Sequence, residues 1–133
     1  MPGNHVLIVD DFKDNREMYE YFLSEKGFRV SLAANGQEAV DKTFELRPDL
    51  VVMDLSLPVM SGIEATRRIK ADERTRHIPV VILSGHEISG LADEVGCEGV
   101  LVKPCLPTIL IAEISRILKN GARARSANGG VAV

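Results

Sequence analysis

Two acids close one apolar run, and a single acid closes another. The run His5-Val-Leu-Ile-Val9 ends in Asp10-Asp11, and the run Asp49-Leu-Val-Val-Met53 ends in Asp54. Runs of this length, rich in Val, Leu and Ile, are expected to be strands buried on both faces. A carboxylate at the mouth of such a strand is costly to hold unless a cation or a donor answers it. Three of them gathered on one sheet edge make a site for a hard divalent cation. The chemistry expected there is phosphate chemistry.

The elements that must carry these acids can be traced from the period of the apolar residues. Met18, Tyr19, Phe22 and Leu23 recur at helical spacing, Gly27 ends that helix, and Phe28 to Ala33 alternates like a strand. Asn35 with Glu38, and Ser61 with Glu64, have the spacing of capping boxes and open the second and third helices. Pro48 stops the second helix. Pro79 to Leu83 is a fourth buried strand, with Ser84 at its end, and Gly99 to Val102 a short fifth one ending at Lys103. A weak fourth helix is expected over Glu87 to Val95, with Gly90 inside it. Pro107 opens a last helix that carries Leu110, Ile111, Ile114, Ile117 and Leu118 inward. From Gly121 onward no periodicity survives, and residues 121–133 are expected to be a flexible tail.

Five strands alternating with five helices predict a doubly wound α/β domain with a parallel sheet. Right-handed crossovers would then cover both faces with helices. A chain of 133 residues suits one such domain with one real core. Hydrophobic residues at 45% and charged residues at 26% are an ordinary globular balance, and the net charge of −3 gives no electrostatic footprint for nucleic acid. No apolar stretch approaches the roughly 20 residues of a membrane span. The start of the chain lacks the pattern of a signal peptide, so a cytoplasmic location is expected. Cys97 and Cys105 match no zinc spacing and are expected to be reduced packing residues.

In an open parallel sheet, ligands bind at the carboxyl ends of the strands, beside the point where strand order reverses. With strand order 2-1-3-4-5, the first and third strands flank that point. Asp10, Asp11, Asp54, Ser84 and Lys103 would then share one end of the sheet. The pattern Asp10-Asp11, then Asp54-Leu-Ser-Leu-Pro58 with Gly62, then Ser84-Gly85, then Lys103-Pro104, resembles the receiver domain of two-component response regulators. The resemblance covers residues 4–120 and is nearest to stand-alone receivers of the chemotaxis type. It implies the flavodoxin-like receiver fold of five strands and five helices.

The resemblance also implies roles. Asp54 would be the phosphoacceptor that takes a phosphoryl group from a sensor histidine kinase or a histidine phosphotransfer protein, forming an acyl phosphate. Asp11 and Asp54 would ligate Mg²⁺, with Asp10 assisting and the backbone carbonyl of Ser56 completing the protein ligands. Lys103 would pair with a phosphoryl oxygen. Ser84 would donate to another one, its hydroxyl having a partner only once phosphate is present, so that phosphate biases an existing equilibrium. The output surface would run from Glu87 to Asn120 and face an unknown downstream protein. A homodimer through that face is left open, and no nucleic acid or membrane contact is expected. A cis peptide at Lys103-Pro104 is expected from the same likeness.

The chain departs from the family pattern at several positions. Val100 stands where an aromatic switch residue is usual, three positions before the lysine, which puts an aromatic-rotamer mechanism in doubt. Cys105 stands where another aromatic is usual. The resemblance implies that His86 and Ser56 stand at positions that border the phosphoryl group and tune hydrolysis, and His86 is expected to affect the lifetime of the acyl phosphate. Ile109 falls with Glu113, Arg116 and Asn120 on the polar side of the last helix, where an apolar side chain offers partner surface.

Three other functions are weighed. A Mg²⁺-dependent phosphatase of the haloacid-dehalogenase type also has an Asp nucleophile after an apolar strand, but needs a second Asp two residues on, where this chain has Ser56. A phosphate-independent docking module would lack one of the acids. A dinucleotide binder would carry G-x-G-x-x-G after the first strand, which is absent.

Overall fold

A computed structural model describes the backbone of residues 3–132 and the side chains of residues 3–121. Strands and helices alternate throughout: β1 (His5–Val9), α1 (Lys13–Glu25), β2 (Arg29–Ala33), α2 (Gly36–Leu46), β3 (Leu50–Asp54), α3 (Gly62–Ala71), β4 (Val80–Ser84), α4 (Leu91–Val95), β5 (Gly99–Val102) and α5 (Pro107–Ala132). The five strands are parallel, in the order β2-β1-β3-β4-β5. This is the doubly wound parallel architecture expected from the alternation, with the flavodoxin-like strand order that the resemblance implied.

Alternate residues along each strand point to opposite faces, so one apolar run feeds two cores. Val6, Ile8, Leu50, Val52, Val81 and Leu83 pack against Tyr19 and Leu23 of α1 and against Leu110 and Ile114 of α5. Leu7, Val9, Val51, Met53, Val80 and Ile82 pack against Ala39 and Val40 of α2, Ala65 and Ile69 of α3, and Leu91 and Val95 of α4. Polar contacts reinforce the packing at both ends of the sheet. The buried Tyr19 hydroxyl donates to the carbonyl of Cys105 at 2.7 Å, joining α1 to the loop after β5. Lys70 donates to the carbonyls of Arg76 and Ile78 and to Glu98, while Glu98 accepts from the backbone N–H of Val80. Together they hold the entry to β4.

Both predicted caps form, in different ways. Asn35 accepts from the N–H of Glu38 at 2.8 Å, and Glu38 reaches back to the N–H of Ala34 at 3.0 Å. Ser61 accepts from the N–H of Glu64 at 3.2 Å, but Glu64 turns outward to Arg68 at 3.0 Å instead of closing the box. A salt bridge one helical turn along competes with the reciprocal cap.

Two helices differ from the expectation. α4 is confined to Leu91–Val95, shorter than the predicted Glu87 to Val95. Gly90 sits at its N-cap with φ 77°, a left-handed conformation that ends the preceding turn instead of lying within a helix. α5 continues beyond Asn120 to Ala132, through most of the segment expected as a tail; Val133 lies outside the described residues. Loss of apolar periodicity marks where a helix stops needing a core face, not where helical backbone stops. Ala and Arg between 122 and 125 favour that continuation. No helix among the described residues is long and apolar enough to cross a membrane.

Candidate functional site

Parallel register brings the chemistry-bearing residues to one edge. Val9 pairs with Ala33 and Met53, Asp54 pairs with Leu83, and Ser84 pairs with Val102. Asp10, Asp54, Ser84 and Lys103 therefore sit at the carboxyl ends of β1, β3, β4 and β5, around the β1/β3 position where the strand order reverses. Asp10, Asp11 and Asp54 each offer a carboxylate oxygen, and these oxygens all lie within 4.8 Å of one another.

Asp10 is 2% exposed, and its position is heavily determined. Its Oδ1 accepts from the N–H of Phe12 at 2.9 Å, and its Oδ2 accepts a longer contact from Asn15 Nδ2 at 3.4 Å. Its backbone N–H donates to Ala33 and its carbonyl accepts from Arg16 at 2.8 Å. Asp54 is equally buried. Its Oδ1 accepts from the N–H of Ser56 at 3.1 Å and from Lys103 Nζ at 3.0 Å. Asp11 is exposed and approaches the cluster from the solvent side.

Burial pushes the Asp10 carboxyl upward from the usual carboxylate range, and the neighbouring charge of Asp54 adds to the rise. The N–H of Phe12, Asn15 and the Lys103 ammonium oppose it without cancelling it. Three carboxylates thus face one lysine, which leaves excess negative charge on hard oxygen donors. That donor set fits a Mg²⁺ ion, which prefers a few carboxylates with water and phosphate oxygens completing its octahedron.

Ser84 is fully buried at the end of β4. The expectation that its hydroxyl lacks a partner without phosphate is corrected here. Oγ donates to the carbonyl of His86 and accepts from the N–H of His86 at 3.3 Å. A buried hydroxyl cannot be left unpaired cheaply, and the turn after β4 supplies the partner. The His86 side chain itself is exposed, as is Ser56. Val100 is half-buried and packs on the core beneath α2, α3 and α4. Lys103-Pro104 is cis.

Cys97 and Cys105 are both buried and free, and burial raises both thiols above the ordinary range. That environment suits packing, not redox chemistry. Ile109 is half exposed on α5, where its N–H donates to the carbonyl of Leu106, itself exposed.

Three features of the site were not anticipated from the sequence. Asn15 and Arg16 reach back from the first turn of α1 to Asp10. Their position one helical turn after the acid pair is a signal that could have been read. Gly36 and Gly62 are close-approach points: a methyl on Gly62 would lie 2.2 Å from the carbonyl oxygen of Asp54, and one on Gly36 would lie 2.0 Å from that of Met60. Val59, between them in the β3–α3 loop, is 83% exposed at φ 68°, an unusual conformation for a β-branched residue.

Comparison with known proteins places this geometry. The family model described as the response regulator receiver domain matches residues 6–115. The polar-differentiation response regulator DivK of Brucella anthropi is 36% identical over 102 residues, covering 74% of this chain and 83% of DivK. The chemotaxis protein CheY4 of Vibrio cholerae superposes with a TM-score of 0.80 at 31% identity, over 86% of this chain and 98% of CheY4. The receiver domain of the sensor histidine kinase PA1611 of Pseudomonas aeruginosa superposes with a TM-score of 0.75 at 35% identity, over 89% of this chain and 96% of that one, and its structure has a magnesium ion coordinated in the active site cleft. With the family model spanning most of its length and the acid cluster at the switch point of the matching fold, this chain belongs to the response regulator receiver domains of two-component signalling.

Proposed function

We propose that the chain is a Mg²⁺-dependent phosphoacceptor switch with Asp54 as the phosphorylated residue. The observation that carries this reading is the convergence of the Asp10, Asp11 and Asp54 carboxylates within 4.8 Å, with Lys103 Nζ at 3.0 Å from Asp54. A carboxylate oxygen of Asp54 attacks the phosphorus of a phosphohistidine on a sensor histidine kinase or histidine phosphotransfer protein. The bond from phosphorus to the donor's ring nitrogen breaks, and its electron pair stays on that nitrogen. Asp11 and Asp54 would hold the ion through their carboxylates, with Asp10 assisting and the backbone carbonyl of Ser56 completing the protein ligands. Mg²⁺, when bound, offsets the charge that spreads over the phosphoryl oxygens during transfer.

Lys103 now pairs with the Asp54 carboxylate. On transfer its ammonium follows the charge to a phosphoryl oxygen. Ser84 leaves the His86 carbonyl to donate to a second oxygen, which couples phosphate to the turn at residues 85–90 and to α4 behind it. Phosphate thereby biases an existing equilibrium of that segment. Val100 offers no ring to rotate, so the response runs through the Ser84–His86 turn. His86 shapes water access to the acyl phosphate and so its lifetime.

The receiver unit spans residues 4–120, with 121–133 as an extension. Its output surface is residues 87–120, where Ile109 offers an apolar contact to a downstream protein or to a second copy. The chain acts on no external substrate, works in the cytoplasm, and touches neither nucleic acid nor membrane directly. Incubation with acetyl phosphate and Mg²⁺, followed by mass spectrometry and peptide mapping, tests the reading. One added phosphate is expected on the Asp54 peptide and none in Asp54→Asn. An alkali-labile phosphate retained by Asp54→Asn overturns the assignment.

A further inference from the structure

We infer that Arg16 is a positioning residue for the metal site, acting through the peptide that joins Asp10 to Asp11. Asp10 is held at four points, and three of them also fix its own side chain or strand: the N–H of Phe12 and Nδ2 of Asn15 on its carboxylate, and the carbonyl of Ala33 on its N–H. The fourth is different. Arg16 NH1 donates to the Asp10 carbonyl oxygen at 2.8 Å. That oxygen shares a rigid plane with the N–H and Cα of Asp11. Holding it sets the direction in which the Asp11 side chain leaves the backbone.

Asp11 is the exposed member of the acid cluster, and its orientation rests on the backbone that carries it. Arg16 is half-buried on α1, and its own N–H donates to the Phe12 carbonyl in the first turn. The guanidinium is thus built on a rigid helix and aimed back over the loop that separates the acids from that helix. The contribution is geometric, the role a metal site assigns to groups that orient its ligands. Arginine suits the task because its planar fork loses little freedom per hydrogen bond formed.

The inference rests on the divalent-cation reading of the site, and its test separates the two. Mn²⁺ is titrated into the metal-free protein and free ion is read by electron paramagnetic resonance, with thermal melting of each metal-free variant alongside. Arg16→Met keeps the apolar stem and removes the donor; its Mn²⁺ affinity is expected to fall about 10-fold. Arg16→Lys, which keeps a cationic donor on a long stem, is expected to recover most of that loss. A purely structural role would lower the melting temperature and leave the affinity of the folded protein unchanged. Equal Mn²⁺ affinity in Arg16→Met and the unsubstituted chain overturns the role of Arg16 alone. Absence of Mn²⁺ binding by the unsubstituted chain overturns the cation reading, and this inference with it.

Discussion

Gly62→Ala tests whether the β3–α3 loop is packed to its limit against the phosphoacceptor strand. The added methyl would sit 2.2 Å from the Asp54 carbonyl oxygen, 3.0 Å from Leu55 Cα and 3.1 Å from the Asp54 carbonyl carbon. All three atoms are backbone, so no rotamer change relieves the clash. Ordinary contact begins at 3.4 Å, which requires the loop or the end of β3 to move by about 1.2 Å. The same movement strains the hydrogen bond from the Gly62 N–H to the Leu55 carbonyl, now 3.2 Å. Overpacking of this kind costs about 1–3 kcal/mol, and a weakened backbone hydrogen bond adds about 1 kcal/mol. The gain in helix propensity is at most about 1 kcal/mol and smaller at the first helical position. A net loss of roughly 2–3 kcal/mol follows, or a fall in Tm of roughly 6–12 °C for a domain of this size. The displacement also shifts Asp54 relative to Lys103 and weakens metal binding. Differential scanning calorimetry of Gly62→Ala beside Gly85→Ala is the assay, because a methyl at Gly85 meets nothing within 4 Å. Equal melting temperatures for the two variants would refute the close-packing argument.

Other changes have opposite or conditional signs. Thr66 is fully buried on α3, and its Oγ1 has no hydrogen-bond partner among the described residues. Thr66→Val should therefore stabilise the protein by about 1 kcal/mol, read as a higher urea midpoint at constant slope; a lower midpoint would mean that the hydroxyl is satisfied. Asp10→Asn removes a charge that burial and Asp54 disfavour. It should raise the melting temperature of the metal-free protein and abolish the rise produced by Mg²⁺; an undiminished Mg²⁺ effect would exclude Asp10 from the site. His5 has its pKa lowered from 6.5, first by burial and then by the charge of Arg29, while its Nε2 sits 2.7 Å from Ser31 Oγ. The neutral ring is favoured in the fold, so its contribution is complete above pH 6.5 and is lost as pH falls below it toward the depressed value. The stability difference between the unsubstituted chain and His5→Gln should therefore shrink between pH 7.5 and 5.5 in urea titrations, and a constant difference would contradict the assignment.

The parts of this protein legible in its sequence are those written in neighbouring residues. Runs such as Val6 to Val9 and Val80 to Leu83 need no distant information to be read as strands buried on two faces, because a parallel sheet covered by helices demands apolar residues at every position. Asn35 with Glu38 announces a helix start because both partners lie within one turn. The acids at the ends of β1 and β3 were legible for a related reason: a charge that ends a buried strand needs a purpose.

Tertiary structure decided everything that depends on which atoms meet across loops. The strand order carries Asp10, Asp11 and Asp54 to within 4.8 Å of one another and Lys103 Nζ to 3.0 Å from Asp54, contacts that no local pattern spells out. The shortened α4 follows from Gly90 adopting a positive φ, a freedom that the residue type permits but does not impose. Gly36 and Gly62 matter only because Met60 of the β3–α3 loop presses on the first and the end of β3 on the second. Periodicity and caps are properties of contiguous chain and survive in the sequence. Close approach and the choice among hydrogen-bond partners are properties of packing, and they exist only once the sheet has been assembled.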